Sequence, residues 1–322
     1  MKDLPTHIAL NMTSACNMDC SYCYQDKLNS GKRMSTKVLD SLIEMLAATP
    51  EDQRFRVSFF GGEPTLASRN IEYFIDKANL NKIEGFSLTT NGTNIEVVNR
   101  IARRGFEMSN GRIRTNVLFS NKDVLKLDEN LDLSVVDNSY RYIIGVDTIA
   151  EVTPELITEL LESEYTLVDF RFDYYANWDE ADETQVNEVI ELLETFGQVS
   201  NRIRFNLPKK FVKAVRKKCP LPHMSIDTDG SLMPCHRMFN STRGIGMAVG
   251  NIVTNMTFAV NQLKAFHDTT HYSSACVGFS PNFGQDNNIH VISLGAAKYH
   301  ERSEPMIEGL MVAVPEPGQQ CN

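Results

Sequence analysis

From residue 7 to about residue 200 the chain alternates short β-rich runs with stretches of helical periodicity, and this rhythm constrains the fold more than any other feature. Parallel strands need a crossover between them, so repeated βα units imply a parallel sheet with helices laid against it. His7 to Met12 reads as a first strand and Phe55 to Phe60 as a second, buried one. Between them Met34 to Ala48 carries Leu39, Leu42, Ile43 and Leu46 at helical spacing, with Ser35 as N-cap. A helix from Leu66 to Asn79 follows, then a strand from Phe86 to Thr90 that ends on the turn dipeptide Asn91-Gly92, then a helix from Ile95 to Arg104. Further strands are expected at Ile113 to Phe119, Tyr142 to Val146 and Leu167 to Tyr174. Helices are expected at Pro154 to Glu164 and Gln185 to Phe196, the first opened by Thr153-Pro154-Glu155. About five or six βα units result, too few for a closed eight-fold barrel.

After Pro208 the pattern changes. Pro and Gly become frequent and the strands short and hairpin-like: Met224 to Asp227, a turn at Asp229-Gly230, then Leu232-Met233. A boundary near residues 207 to 218 divides a core domain, residues 1–207, from a smaller one, residues 208–322. No run of about 18 apolar residues occurs, and the apolar stretch near the start is short, so no membrane partner and a cytoplasmic location are expected. A net charge of −9 argues against a sequence-independent nucleic-acid binder. The basic run of Lys209, Lys210, Lys213, Arg216, Lys217 and Lys218 is read as a solvated helix face beside Cys219.

Seven cysteines split into three at Cys16, Cys20 and Cys23 and four at Cys219, Cys235, Cys276 and Cys321. Without an export signal, metal binding or catalysis is the better default than disulfides. Cys16-Asn-Met-Asp-Cys20-Ser-Tyr-Cys23 is compact enough to bind three irons of one cubane and leave the fourth open to a substrate. By spacing alone, part of a zinc site suits the same thiols. The motif follows the first strand directly, which places it on a loop at that strand's C-terminal end, where α/β barrels put their chemistry.

With its Cys-x3-Cys-x-aromatic-Cys pattern, in which the aromatic is Tyr22, the chain resembles the radical S-adenosylmethionine (AdoMet) superfamily. Phe59-Phe60-Gly61-Gly62-Glu63-Pro64 is similar to that superfamily's Gly-Gly-Glu-Pro motif, which receives the amino group of AdoMet. Two glycines let backbone carbonyls approach a ligand, and an ammonium wants acceptors. Thr89-Thr90-Asn91-Gly92 resembles the Thr-Asn-Gly segment that lines the same cofactor edge. The resemblance implies a partial (β/α)6 barrel, a [4Fe–4S] cluster on Cys16, Cys20 and Cys23, and AdoMet held by Tyr22, Gly61, Gly62, Glu63, Thr90 and Asn91. Ile143-Ile144-Gly145-Val146-Asp147 matches the family's adenine and ribose motifs only loosely, leaving Asp147 between a cofactor contact and a strand-end carboxylate.

Ile226-Asp-Thr-Asp-Gly230-Ser-Leu-Met-Pro-Cys235, spaced after Cys219 and followed by Val249-Gly250-Asn251-Ile252, resembles the opening of a SPASM or Twitch extension. That implies a small Twitch-like domain with one auxiliary iron–sulfur cluster on Cys219, Cys235, Cys276 and Cys321, with His223, His236 or an open iron as alternatives to Cys321. In Cys276-Val-Gly-Phe279 a phenylalanine stands where a second cluster would need a cysteine.

The implied activity is reductive cleavage of AdoMet and hydrogen abstraction from a peptide or protein residue, with a flavodoxin- or ferredoxin-type electron donor. His236 follows Cys235 where sulfatase-maturating enzymes carry Asp, which argues against that subtype. The rival readings are a small-molecule dehydrogenase of the same superfamily and, from another class, a non-catalytic iron–sulfur scaffold or sensor.

Overall fold

The computed structural model describes residues 4–25, 31–173, 183–206, 223–236, 239 and 248–269. The first strand, β1 (His7–Asn11), pairs in parallel with β2 (Phe55–Phe60), and the sheet continues through β3 (Ile83–Thr90), β4 (Thr115–Phe119), β5 (Val136–Ile144), β6 (Val168–Phe172) and β7 (Ile203–Asn206). All these pairs are parallel. Crossovers are made by α1 (Thr36–Ala47), α2 (Ser68–Lys77), α3 (Ile95–Met108), α4 (Pro154–Glu162) and α5 (Glu183–Val199), while residues 120–135 join β4 to β5 without a helix.

The helix starts follow local chemistry. Ser35 and Asn94 accept backbone N–H groups of α1 and α3 through their side chains, and Thr153 caps α4 ahead of Pro154. One face of the sheet is covered by these helices: Ile8, Leu10, Phe55, Val57, Phe59, Tyr142, Phe170 and Phe172 are buried with Leu39, Leu42, Ile157 and Leu193 in one apolar core. Strand alternation turns the intervening residues to the inner face, where His7 bonds Ser58 at 2.6 Å and Asn11 bonds Asp227 at 2.7 Å.

Several boundaries differ from expectation. The helix expected from Leu66 splits into a 3-10 turn at Pro64–Ala67, whose start is capped by the Glu63 side chain on Thr65 N–H, and α2, which begins at Ser68. Strand β5 begins at Val136, earlier than the pattern implied, its first residues alternating with exposed Asp137. Strand β7, a short edge element, carries too few residues to show a periodicity.

Beyond residue 222 the chain returns to the same sheet. Strand β8 (His223–Ile226) lies parallel to β1 on the side away from β2, in the register His7↔His223, and β9 (Ser231–Met233) and β10 (Gly250–Asn251) continue it antiparallel. The expected hairpin forms, with Gly230 at φ +87° in its turn, and it extends the core sheet to ten strands in the order β10-β9-β8-β1-β2-β3-β4-β5-β6-β7. A sixth helix, α6 (Ile252–Thr269), packs against α1 with Ala259, Val260 and Leu263 buried. Its β-branched residues hide it from a propensity reading, and Asn255 breaks its first turn and caps the rest by accepting Phe258 N–H at 3.0 Å. No described helix is long and apolar enough to cross a membrane.

Candidate functional site

Four loops meet at the C-terminal end of the strands. The loop after β1 carries Cys16, Cys20 and Cys23, and its stems are zipped together: Ser14 N–H donates to Lys32 O at 2.9 Å and Met34 N–H to Met12 O at 2.9 Å. Cys16 and Cys23 are exposed, Cys20 is half-buried, and none of the three is in a disulfide. Met18 N–H donates to Cys16 Sγ at 3.4 Å. Burial pushes the Tyr22 phenol well above its ordinary value, and the thiol of Cys20, hydrogen-bonded to it, adds to the rise.

The loop after β2 braces this one from below. Gly62 N–H donates to Thr13 O at 2.7 Å, Glu63 N–H donates to Ala15 O at 2.8 Å, and Gly61 O accepts Gln25 Nε2 at 2.8 Å. The reason for two glycines is visible here. A Cβ on Gly61 would stand 2.6 Å from Thr13 O, and one on Gly62 would stand 2.3 Å from Ala15 O and 3.0 Å from Cys16 Cβ. The glycines thus admit the cysteine loop itself.

Glu63 is 1% exposed and its carboxylate is consumed within the protein. Oε1 accepts Thr65 N–H at 3.0 Å, the Thr65 hydroxyl at 2.7 Å and the Thr90 hydroxyl at 2.8 Å, and Oε2 accepts Asn91 N–H at 2.8 Å. A buried carboxylate is tolerable only when so fully bonded. Asn91 in turn accepts Asn121 Nδ2 on its carbonyl at 3.1 Å, tying in the fourth loop, and donates Nδ2 to Asn17 Oδ1 at 2.8 Å. The residues read from the three motifs, Cys16 to Cys23, Gly61 to Glu63 and Thr90-Asn91, are thereby brought together. No sequence pattern announces Asn17 or Asn121: the partner of Asn17 lies 74 positions away.

Among the described residues no three His, Cys, Asp or Glu side chains converge as ligands of one ion would. A cubane does not require that convergence, because each thiolate binds a different iron. Thiols confined to one loop at the strand ends, exposed enough to be reached and with an N–H directed at one sulfur, fit that group.

Of the later cysteines, Cys235 sits just past β9, packed with Phe60 against Ala9, Met233 and Phe239. His236 stacks on Phe60 with ring centroids 5.0 Å apart. His223 opens β8. Cys219, Cys276 and Cys321, and the basic run before Cys219, lie outside the described residues. Asp147 is exposed in the turn after β5, near Gly145.

The description "Radical SAM superfamily" belongs to the family model that residues 10–130 match. An uncharacterised protein of Methanocaldococcus jannaschii is 36% identical over 81 residues, 25% of this chain and 27% of that protein. The GTP 3',8-cyclase of Haemophilus influenzae is 25% identical over 228 residues, 70% of this chain and 64% of the relative. The chain thus spans less than two thirds of the length of these relatives. Among solved structures, anSMEcpe with bound AdoMet aligns over 95% of this chain and 98% of its own at a TM-score of 0.64 and 16% identity. Streptococcus suis SuiB aligns over 85% of this chain and 68% of its own at 0.52 and 14%. At these identities the structures establish the fold, an α/β partial barrel with a mostly parallel sheet. The stretch that matches this family model, residues 10–130, contains the cysteine loop and both strand-end motifs that close on it.

Proposed function

We propose that the chain is a radical AdoMet enzyme in which Cys16, Cys20 and Cys23 hold a [4Fe–4S] cluster and AdoMet lies against Tyr22, Gly61-Gly62-Glu63 and Thr90-Asn91. The observation that carries this reading is the closure of three motifs, distant in sequence, around one cysteine loop. Such a cluster would supply, when bound, the electron for reductive cleavage of AdoMet and with it the means of hydrogen abstraction from a substrate. The chain's part is to hold and exclude. Three thiolates anchor the cluster, Glu63 fixes the strand ends at which AdoMet sits, and the apolar patch of Ala9, Phe60, Met233 and Phe239 keeps water from the inner face.

For the substrate, a peptide or protein residue is the first reading, supported by the likeness of residues 219–252 to the opening of a SPASM or Twitch extension. One auxiliary cluster on Cys219, Cys235, Cys276 and Cys321 belongs to this reading, as does a flavodoxin- or ferredoxin-type donor. A small molecule is the second reading, favoured by relatives named GTP 3',8-cyclase in Haemophilus influenzae and Mannheimia succiniciproducens. The test is anaerobic reconstitution, reduction with dithionite and quantification of 5′-deoxyadenosine, alone and with candidate peptides or GTP. Absence of 5′-deoxyadenosine from protein carrying an intact cluster would overturn the enzyme reading in favour of an iron–sulfur scaffold. Stimulation by GTP and not by peptides would select the second substrate class.

A further inference from the structure

Asn17, Asn91 and Thr93 close a ring of side-chain hydrogen bonds. Asn17 Nδ2 donates to Thr93 Oγ1 at 2.8 Å, Thr93 Oγ1 donates to Asn91 Oδ1 at 2.7 Å, and Asn91 Nδ2 donates to Asn17 Oδ1 at 2.8 Å. Every donor meets an acceptor around the circuit, and turning over the Asn17 amide alone would set its Nδ2 against that of Asn91.

The two sides of the ring differ in how firmly they are held. Asn91 is 7% exposed, its N–H on the buried Glu63 and its carbonyl on Asn121. Thr93 is held to it again through its own N–H, donated to Asn91 Oδ1 at 3.1 Å. Asn17 is exposed and stands between Cys16 and Met18, whose N–H is the donor to Cys16 Sγ.

We propose that this ring is a latch that transmits the buried framework of β2 and β3 to the exposed cysteine loop, making Asn17 and Thr93 positioning residues for the Cys16 sulfur. The proposal rests on the reading of Cys16 as a cluster ligand. With the latch closed, the Asn17–Met18 peptide is fixed and its N–H stays on the sulfur. With it open, that peptide turns freely, the loop must be ordered each time a cluster binds, and the sulfur loses a donor that eases reduction of the cluster.

The variants are Asn17→Ala, Thr93→Val, which removes the hydroxyl at nearly constant shape, and Thr93→Ser, which restores it. In reconstituted protein, Asn17→Ala and Thr93→Val are expected to lose iron to a chelator roughly tenfold faster, as the loss of such bonds implies. They should also show a more negative cluster midpoint potential, while Thr93→Ser behaves as wild type. In metal-free protein the same two variants should speed amide hydrogen exchange at residues 16–20. Exchange, iron retention and potential all unchanged in Asn17→Ala and Thr93→Val would overturn the latch. Faster exchange in the two variants, together with a wild type that takes up no cubane, would uphold the latch as a loop restraint and overturn the cluster reading, so the two failures are told apart.

Discussion

Asn91 N–H and Glu63 Oε2, 2.8 Å apart, tie the loop after β2 to the end of β3, and every donor on this carboxylate is neutral. Replacing Glu63 by Gln sets an amide N–H₂ against at least one of those donors. We expect Glu63→Gln to cost about 1–3 kcal/mol, read as a lower thermal midpoint of the metal-free protein, and AdoMet affinity to fall with it. An unchanged midpoint with affinity lost would instead make Glu63 a direct ligand of the cofactor.

The glycines differ in what an added side chain would meet. Gly62→Ala drives a Cβ to 2.3 Å from Ala15 O, so the cysteine loop must move. Its expected signature is reduced iron uptake together with about 1–3 kcal/mol of lost stability. Gly85→Ala in β3 is the control: a Cβ there meets nothing within 4 Å, and the variant should be neutral or slightly more stable. Normal cluster loading in Gly62→Ala with only AdoMet binding impaired would contradict this assignment.

Iron counting tests the ligand sets. The joint replacement of Cys16, Cys20 and Cys23 by Ala should remove about four irons per chain and all 5′-deoxyadenosine, and leave the far-ultraviolet dichroism intact, since none of the three lies in the core. Wild type with an auxiliary cluster should hold about eight irons, and Cys235→Ala should bring this towards about four. Cys321→Ala then decides the fourth ligand: lost iron makes it a ligand, and retained iron points to His223, His236 or an open iron. A fully loaded wild type with only about four irons would leave the later cysteines as structural thiols.

Asp227 predicts a pH dependence of stability. Burial raises its carboxyl above the ordinary 3.8 and Asp229 adds to the rise, while the bonds from Thr228 N–H and Asn11 oppose it. The folded state therefore holds the proton more tightly than the unfolded one. Its contribution to stability is complete below 3.8 and declines as pH rises through the folded value. Asp227→Asn removes that decline, so the midpoint of the variant minus that of wild type should grow between about pH 4 and pH 7. Parallel curves would show that the burial of this charge costs nothing.

What the sequence determined by itself was local. The βα rhythm, the caps at Ser35 and Thr153, the strand ends at Phe60 and Thr90 and the cysteine loop after the first strand follow from periodicity and turn chemistry, which act within a few residues. Only the tertiary structure decided the use of the motif residues. Glu63 is committed to Thr65, Thr90 and Asn91, the glycines make room for Ala15 and Cys16, and Asn17 is held by a turn on another strand. It also decided that the hairpin after residue 222 extends the sheet from β1, a pairing 216 residues apart in the case of His7 and His223. The reason is physical: a hydrogen bond or a steric contact depends on distance in space, and the chain's periodicity carries no record of which remote backbone will arrive beside it.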